Sequence, residues 1–258
     1  MTSDQKKTIE LIKRDAQRYN FIIGVILGGS LAQNTGNENS DVDIFVVVDD
    51  IEFNKRKLVK DYFVGAIFNQ SSYPVYVDGW IINKDFLKKI WTVGNECIKS
   101  TFSNVKLLYS IDSEIDELIK NNDIINNNKD ENIRKFYALM KSYKFKANDD
   151  KDNIIQIKHG IFFTVFYACR LILTHNSIYY PCVKNLEKEL KKCIKKPPNF
   201  IENMHKVLET YSLDELESFY VTTEEYFKEY RFNDNLRKGY VIENENYWFF
   251  NERPYSEI

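Results

Sequence analysis

Two aspartates, Asp41 and Asp43, open an otherwise aliphatic run, "DVDIFVVV". Carboxylates are depleted in strands, so a pair at the head of one needs a chemical reason. Side chains at i and i+2 of a strand project to the same side, so Asp41 and Asp43 present two carboxylates together while Val42 faces the other way. Like charges at that spacing repel unless a cation lies between them. Hard oxygen donors of this kind suit Mg²⁺, which is held by one or two carboxylates together with substrate phosphates. Ten residues ahead of the pair, the apolar run "FIIGVIL" closes in Gly28-Gly29-Ser30. Small residues let backbone N–H groups approach an anion, and Ser30, starting a helical turn, adds a hydroxyl and a favourable helix terminus. A phosphate grip beside a Mg²⁺ grip outlines phosphoryl or nucleotidyl transfer. The glycines do not form a Walker loop, because no Gly-Lys-Ser/Thr follows at the required distance, and they miss the dinucleotide fingerprint.

The elements that must position these groups follow from periodicity. Apolar spacing at Ile9, Leu11, Ile12 and Ala16 predicts a helix over 3–20, and 21–27 reads as a buried β-branched strand. Leu31 to Gln33 continue as a short helical turn, and "DVDIFVVV" is a second strand. A helix is expected over 52–68 with Leu58, Tyr62 and Ala66 inward, then a third strand over 73–82 with Pro74 at a tolerated edge, then a helix in "NKDFLKKIW". No strand is expected beyond that point. The polar run at 120–132 is the candidate linker, and everything after it reads as helix. Ile133, Phe136, Tyr137, Met140 and Tyr143 keep one helical face, and 154–175 is apolar nearly all round, as a central helix would be. "NLEKELKKCI", "FIENMHKVLETY" and "LDELESFYVTTEEYFKEYRF" complete a bundle. The fold class is α+β of α/β type: a small mixed sheet flanked by helices over 1–122, then an all-helical bundle over 123–258.

Bulk composition narrows the function classes. Thirty-six basic against 38 acidic residues leave a net charge of −2, so a nucleic-acid footprint is not visible and RNA or DNA is not an expected partner. "KKCIKK" reads as a solvated helix face. The opening "MTSDQKKTIELIKRD" is an amphipathic helix rather than a secretion signal, and 161–173 is too short to span a bilayer and carries Arg170. Cys97, Cys169, Cys182 and Cys193 have neither zinc-finger spacing nor disulfide-scaffold density. A cytoplasmic protein without a membrane partner or structural zinc is expected.

"GGS" followed after ten residues by "DVD" resembles the signature of the polymerase-β-like nucleotidyltransferase superfamily, above all its bacterial aminoglycoside and lincosamide adenylyltransferases. The resemblance implies a third carboxylate on a later strand, which "VYVDGWII" offers as Asp78. It extends, more loosely, into the helical half, where Arg170, Asn176, Tyr180, Pro181 and Lys184 match a recurring segment; Asn185 stands where an aromatic residue is common. What it implies is Mg²⁺-dependent transfer of a nucleoside monophosphate, AMP from ATP, to a small-molecule hydroxyl, with the acceptor between the two halves. Gly29 and Ser30 would hold the β- and γ-phosphates, and Asp41 and Asp43 one or two Mg²⁺ ions. Asp78 would complete the metal site or take the acceptor's proton, a carboxylate of the helical half being the other candidate base, and Lys184 and Lys158 would reach the triphosphate.

Each residue has a plainer reading as well. Asp41 and Asp43 could be turn aspartates, Asp78 a strand-edge charge and Ser30 a helix cap, although cap and phosphate donor share one geometry. Lys158 and Arg170 interrupt an apolar helix and must each reach a counter-charge, a ligand or solvent; Arg170 reads as an ion-pair residue between the halves. Trp80, Trp91 and Trp248 read as core or lid packing, His159 and His205 as packed or surface residues. Rival functions are nucleotidylation of a protein or RNA and an inactive nucleotide-binding module. A helical ribonuclease, built on Arg170 and His175, is a minor rival, since that two-residue pattern arises easily by chance.

Overall fold

The fold begins with a helix that is capped twice. In the computed structural model, which describes residues 1–120, 128–150 and 152–250, helix α1 spans Ser3–Ala16. The Thr2 hydroxyl accepts from the Gln5 N–H, and the Gln5 side chain accepts from the Thr2 N–H, a reciprocal pair that satisfies two orphan donors of the first turn. The helix stops at Ala16, four residues short of the expected end.

Strands β1 (Ile22–Leu27), β2 (Val42–Val48), β3 (Val77–Asn83) and β4 (Lys106–Ser110) form one mixed sheet in the order β3-β2-β1-β4. β1 runs antiparallel to β2 and β4, whereas β2 and β3 are parallel. β2 is central, and its apolar residues supply both faces. Val42, Ile44, Val46 and Val48 pack with Ile9, Ile12 and Ala16 of α1. On the other face the Phe45 ring lies 4.6 Å from that of Phe102, in helix α5 (Glu96–Phe102). Helices α2 (Gly29–Ala32), α3 (Asp50–Val59), α4 (Lys84–Val93) and α6 (Ser113–Lys120) complete this unit.

Three expectations are corrected here. A strand does follow "NKDFLKKIW": β4 pairs with β1, so the sheet has four strands. Helix α3 ends at Val59, because Lys60 turns left-handed (φ 57°) and the chain beyond it is engaged elsewhere. The Tyr62 carbonyl accepts from the Ile81 N–H at 2.7 Å and Phe63 bridges Trp80, so this stretch covers the outer edge of β3. Leu58, expected inward, is 86% exposed, and Val64 and Phe68 are buried instead. β3 itself starts at Val77 rather than at residue 73, because side chains take the preceding backbone groups. The Val75 N–H donates to the Thr8 hydroxyl, and Gln70 accepts from the Val77 N–H and donates to the Val75 carbonyl.

The chain divides into two compact units, Met1–Ile124 and Ile125–Ile258. Most of the expected linker, and the expected boundary at 122/123, lie outside the described residues. The linker's last residues are helical, since α7 spans Lys129–Asp149 with Asp130 and Glu131 favourably placed in its first turn. α8 (Ile154–His175) is the core helix of the second unit. α7 lies against it so closely that a Cβ on Gly160 would stand 2.6 Å from the Ala147 nitrogen. Helices α9 (Val183–Lys192), α10 (Phe200–Thr210) and α11 (Leu213–Tyr226) follow, and α12 (Asp234–Glu245) adds an element the periodicity did not single out. By length and composition α8 could cross a membrane, but 72% of its most apolar window is buried inside the protein.

Candidate active site

The Gly-Ser bend and the Asp-x-Asp strand meet because β1 and β2 are antiparallel neighbours. β1 ends at Leu27, opposite Ile44, and the Gly28 N–H donates to the Asp43 carbonyl at 2.9 Å. Gly29 then adopts φ +58°, and a Cβ placed on it would lie 1.7 Å from Asp43 Oδ2. Glycine is required here twice over, by the backbone angle and by the carboxylate lying against it. α2 starts at this point, so its first N–H groups lack intrahelical acceptors. Ser30 is half-buried, and its hydroxyl makes no hydrogen bond among the described residues. Its carbonyl accepts from the N–H groups of Thr35 and Gly36 at 2.9 and 3.0 Å, which folds the loop that returns to β2.

Asp78 reaches the pair through the parallel ladder. β2 and β3 are in register Asp43↔Asp78, which sets the two side chains abreast on one face. Carboxylate oxygens of Asp41, Asp43 and Asp78 lie within 4.8 Å of one another. Gly79 shapes this position. Its φ is +142°, and a Cβ would stand 1.7 Å from the Ile44 carbonyl oxygen, so only glycine lets β3 lie this close to β2. The Gly79 N–H donates to Asp78 Oδ1 at 2.7 Å. Neither Asp41 nor Asp78 makes an ion pair among the described residues.

Three carboxylates at this separation match the donor set of a hard divalent cation. A shallow cavity of about 420 Å³ opens beside Asp41, with Asp4, Glu38 and Tyr76 among its lining residues.

Sequence reasoning passed over the side chains that hold this arrangement. Gln5 and Thr8, both fully buried on α1, bind the loop ahead of Asp41 and the segment ahead of β3 respectively. The only signal for Gln5 was the Thr-x-x-Gln capping pattern at residues 2–5, which announces a helix start and nothing more.

The helical unit holds the remaining candidates. Lys158 is exposed on α8, its ammonium 5.3 Å from the Tyr211 ring centroid, and Lys184 is exposed in the first turn of α9. Arg170 is only 4% exposed; its guanidinium lies 4.4 Å from the centroid of Phe136, 5.6 Å from Phe166 and 5.4 Å from Tyr180. It is thus packed within the aromatic core of this unit, with three ring faces close to its guanidinium. Asn176 caps α8, donating to the Ile172 and Lys195 carbonyls and accepting from the Lys195 N–H. His175 packs edge-on against Phe227, and burial, with Lys129 and Lys195 nearby, lowers its pKa from 6.5. Of the tryptophans only Trp91 is core; Trp80 is 49% and Trp248 69% exposed.

The family model for a nucleotidyltransferase domain matches residues 7–101, a stretch that contains Gly29, Ser30 and all three aspartates. No curated protein matches the chain. Among solved structures, a nucleotidyltransferase-like protein from Exiguobacterium sibiricum 255-15 is similar over 86% of this chain and 78% of its own, with 10% identity and a TM-score of 0.44. Spectinomycin adenyltransferase AAD(9) from Enterococcus faecialis, solved with ATP and spectinomycin, is similar over 84% of this chain and 100% of its own, with 17% identity and a TM-score of 0.34.

Proposed function

We propose that this chain, whose residues 7–101 match the family model for a nucleotidyltransferase domain, transfers a nucleoside monophosphate, AMP from ATP, to a hydroxyl of a small molecule. The observation that carries the reading is the approach of Asp41, Asp43 and Asp78 to within 4.8 Å beside the Gly29-Ser30 bend. Such a set is electrostatically unfavourable without a cation, and its all-oxygen character suits Mg²⁺. In this reading Asp41 and Asp43, completed by Asp78, hold one or two Mg²⁺ ions. Bound there, Mg²⁺ supplies positive charge against the triphosphate and polarises the phosphoryl group under attack.

The chain's own residues supply the remaining steps. The N–H groups opening α2 and the Ser30 hydroxyl donate to the β- and γ-phosphates. The acceptor oxygen attacks the α-phosphorus, the bond to the oxygen bridging α and β breaks, and pyrophosphate leaves. The hydroxyl proton passes to a carboxylate, a role Asp78 fills where Asp41 and Asp43 hold the metal without it. Lys184 and Lys158 offer exposed ammonium groups of the kind that suits phosphate oxygens. Asp4 and Glu38, which line the cavity beside Asp41, favour an acceptor that carries amines, as an aminoglycoside does.

The test is incubation with Mg²⁺ and ATP labelled at the α-phosphate, against aminoglycosides, lincosamides, RNA and bacterial lysate. Label on an antibiotic, lost in Asp43→Asn, is the expected result. Label on protein or RNA alone would move the acceptor out of the small-molecule class. No transfer from any nucleoside triphosphate would sink the reading.

A further inference from the structure

The triad is only as fixed as the loop that delivers Asp41, and a buried side chain outside the site holds that loop. Gln5 is 0% exposed. Its Nε2 donates to the carbonyl of Asn37 at 2.7 Å and to that of Ser40, the residue before Asp41, at 3.0 Å. Within the loop, the Asn37 N–H donates to the Ser40 hydroxyl and the Asn39 N–H to Asn37 Oδ1, so it is folded locally and tied to the body of the unit through Gln5. One turn along the same helix, Thr8 accepts from the Val75 N–H ahead of β3, the strand that carries Asp78. One face of α1 therefore grips both approaches to the triad.

We propose that Gln5 is a positioning residue for the metal site: its side-chain amide sets the loop so that the Asp41 carboxylate stays against those of Asp43 and Asp78. This rests on the reading of the triad as a metal site. Helix capping does not account for the contact. The capping interaction uses Gln5 Oε1, which accepts from the Thr2 N–H at 2.7 Å, and a glutamate oxygen serves that purpose equally. Only an amide can also donate to two carbonyls. Groups that orient first ligands from behind commonly change metal affinity by about 10–100-fold when removed.

The experiment measures Mn²⁺ binding to the full chain without nucleotide, by the paramagnetic signal of the free ion. Wild type should bind Mn²⁺, and Asp43→Asn should not. Gln5→Glu, which keeps shape and the capping oxygen but loses both donors, and Gln5→Leu should raise the Mn²⁺ Kd about tenfold or more. Ile12→Val, at another fully buried position on α1, should lower the melting temperature and leave the Kd unchanged. Failure of wild type to bind in an Asp43-dependent way refutes the metal-site reading itself. Wild-type binding with an unchanged Kd in folded Gln5 variants overturns the role of Gln5 alone. Should the variants not fold, the Gln5 side-chain amide resonances of wild type are followed during Mg²⁺ titration. Shifts that track saturation support the coupling, and resonances unmoved at saturation overturn it.

Discussion

Replacing Gly29 by alanine tests the site at one of its two tightest points. The added Cβ would lie 1.7 Å from Asp43 Oδ2, half of the 3.4 Å at which ordinary contact begins. The carboxylate must retreat by roughly that shortfall or the bend must open. Mg²⁺ tolerates only about ±0.2 Å around its 2.0–2.1 Å oxygen distances, so a displacement on this scale removes Asp43 as a ligand. The backbone adds a separate cost, because φ +58° is strained for alanine by about 1–2 kcal/mol. The expected outcome is a melting temperature lower by on the order of 5 °C, with loss of Mg²⁺-dependent stabilisation and a fall of about 100-fold or more in transfer rate. Gly28→Ala is the matched control. Its Cβ would press on the Phe45 ring, 2.7 Å away, and the three atoms nearest to it all belong to that ring rather than to the Asp43 carboxylate. It should lower stability while keeping metal binding. Thermal melts with and without Mg²⁺, together with initial rates, separate the two. Wild-type metal response in Gly29→Ala, or equal loss in both variants, would refute the argument that the glycine exists to seat Asp43.

Mg²⁺ at tenfold its Kd should stabilise wild type by about 1.4 kcal/mol, whereas Asp41→Asn and Asp43→Asn should show no Mg²⁺ shift, and Asp41→Asn should melt no lower than metal-free wild type, because it removes a repelling charge. Arg170→Lys should cost about 1–2 kcal/mol in denaturant unfolding, because an ammonium cannot stack on Phe136, Phe166 and Tyr180 as a guanidinium does; an unchanged midpoint would contradict the cation–π account. His175 has a folded pKa depressed below 6.5, so the unfolded chain binds more protons, and stability should be full above pH 6.5 and fall as the pH drops through the window below it. His175→Phe should flatten that part of the profile. Gly79→Ala, whose Cβ would meet the Ile44 oxygen at 1.7 Å, should disrupt the β2–β3 pairing and leave little soluble protein.

Local chemistry made half of the site legible. Strand alternation alone puts Asp41 and Asp43 on one side, and the Gly-Gly-Ser bend follows from residue type. The apolar girth of α8 likewise marks it as a core helix wherever it packs. Pairing choices are different in kind. Whether Asp78 faces Asp43 depends on a parallel register between strands more than thirty residues apart, and "KLLYS" became an edge strand only because β1 offered it a free ladder. The stretch after Lys60 left its helical pattern because the outer edge of β3 needed covering. Gln5 shows the distinction within one residue: its neighbours determined that it would cap a helix, while the fold decided that its amide would also meet Asn37 and Ser40. Periodicity and capping are set by forces acting over a few residues of chain. Partners across the sheet are set by which distant backbone groups would otherwise be buried unpaired, and that is known only once the chain has folded.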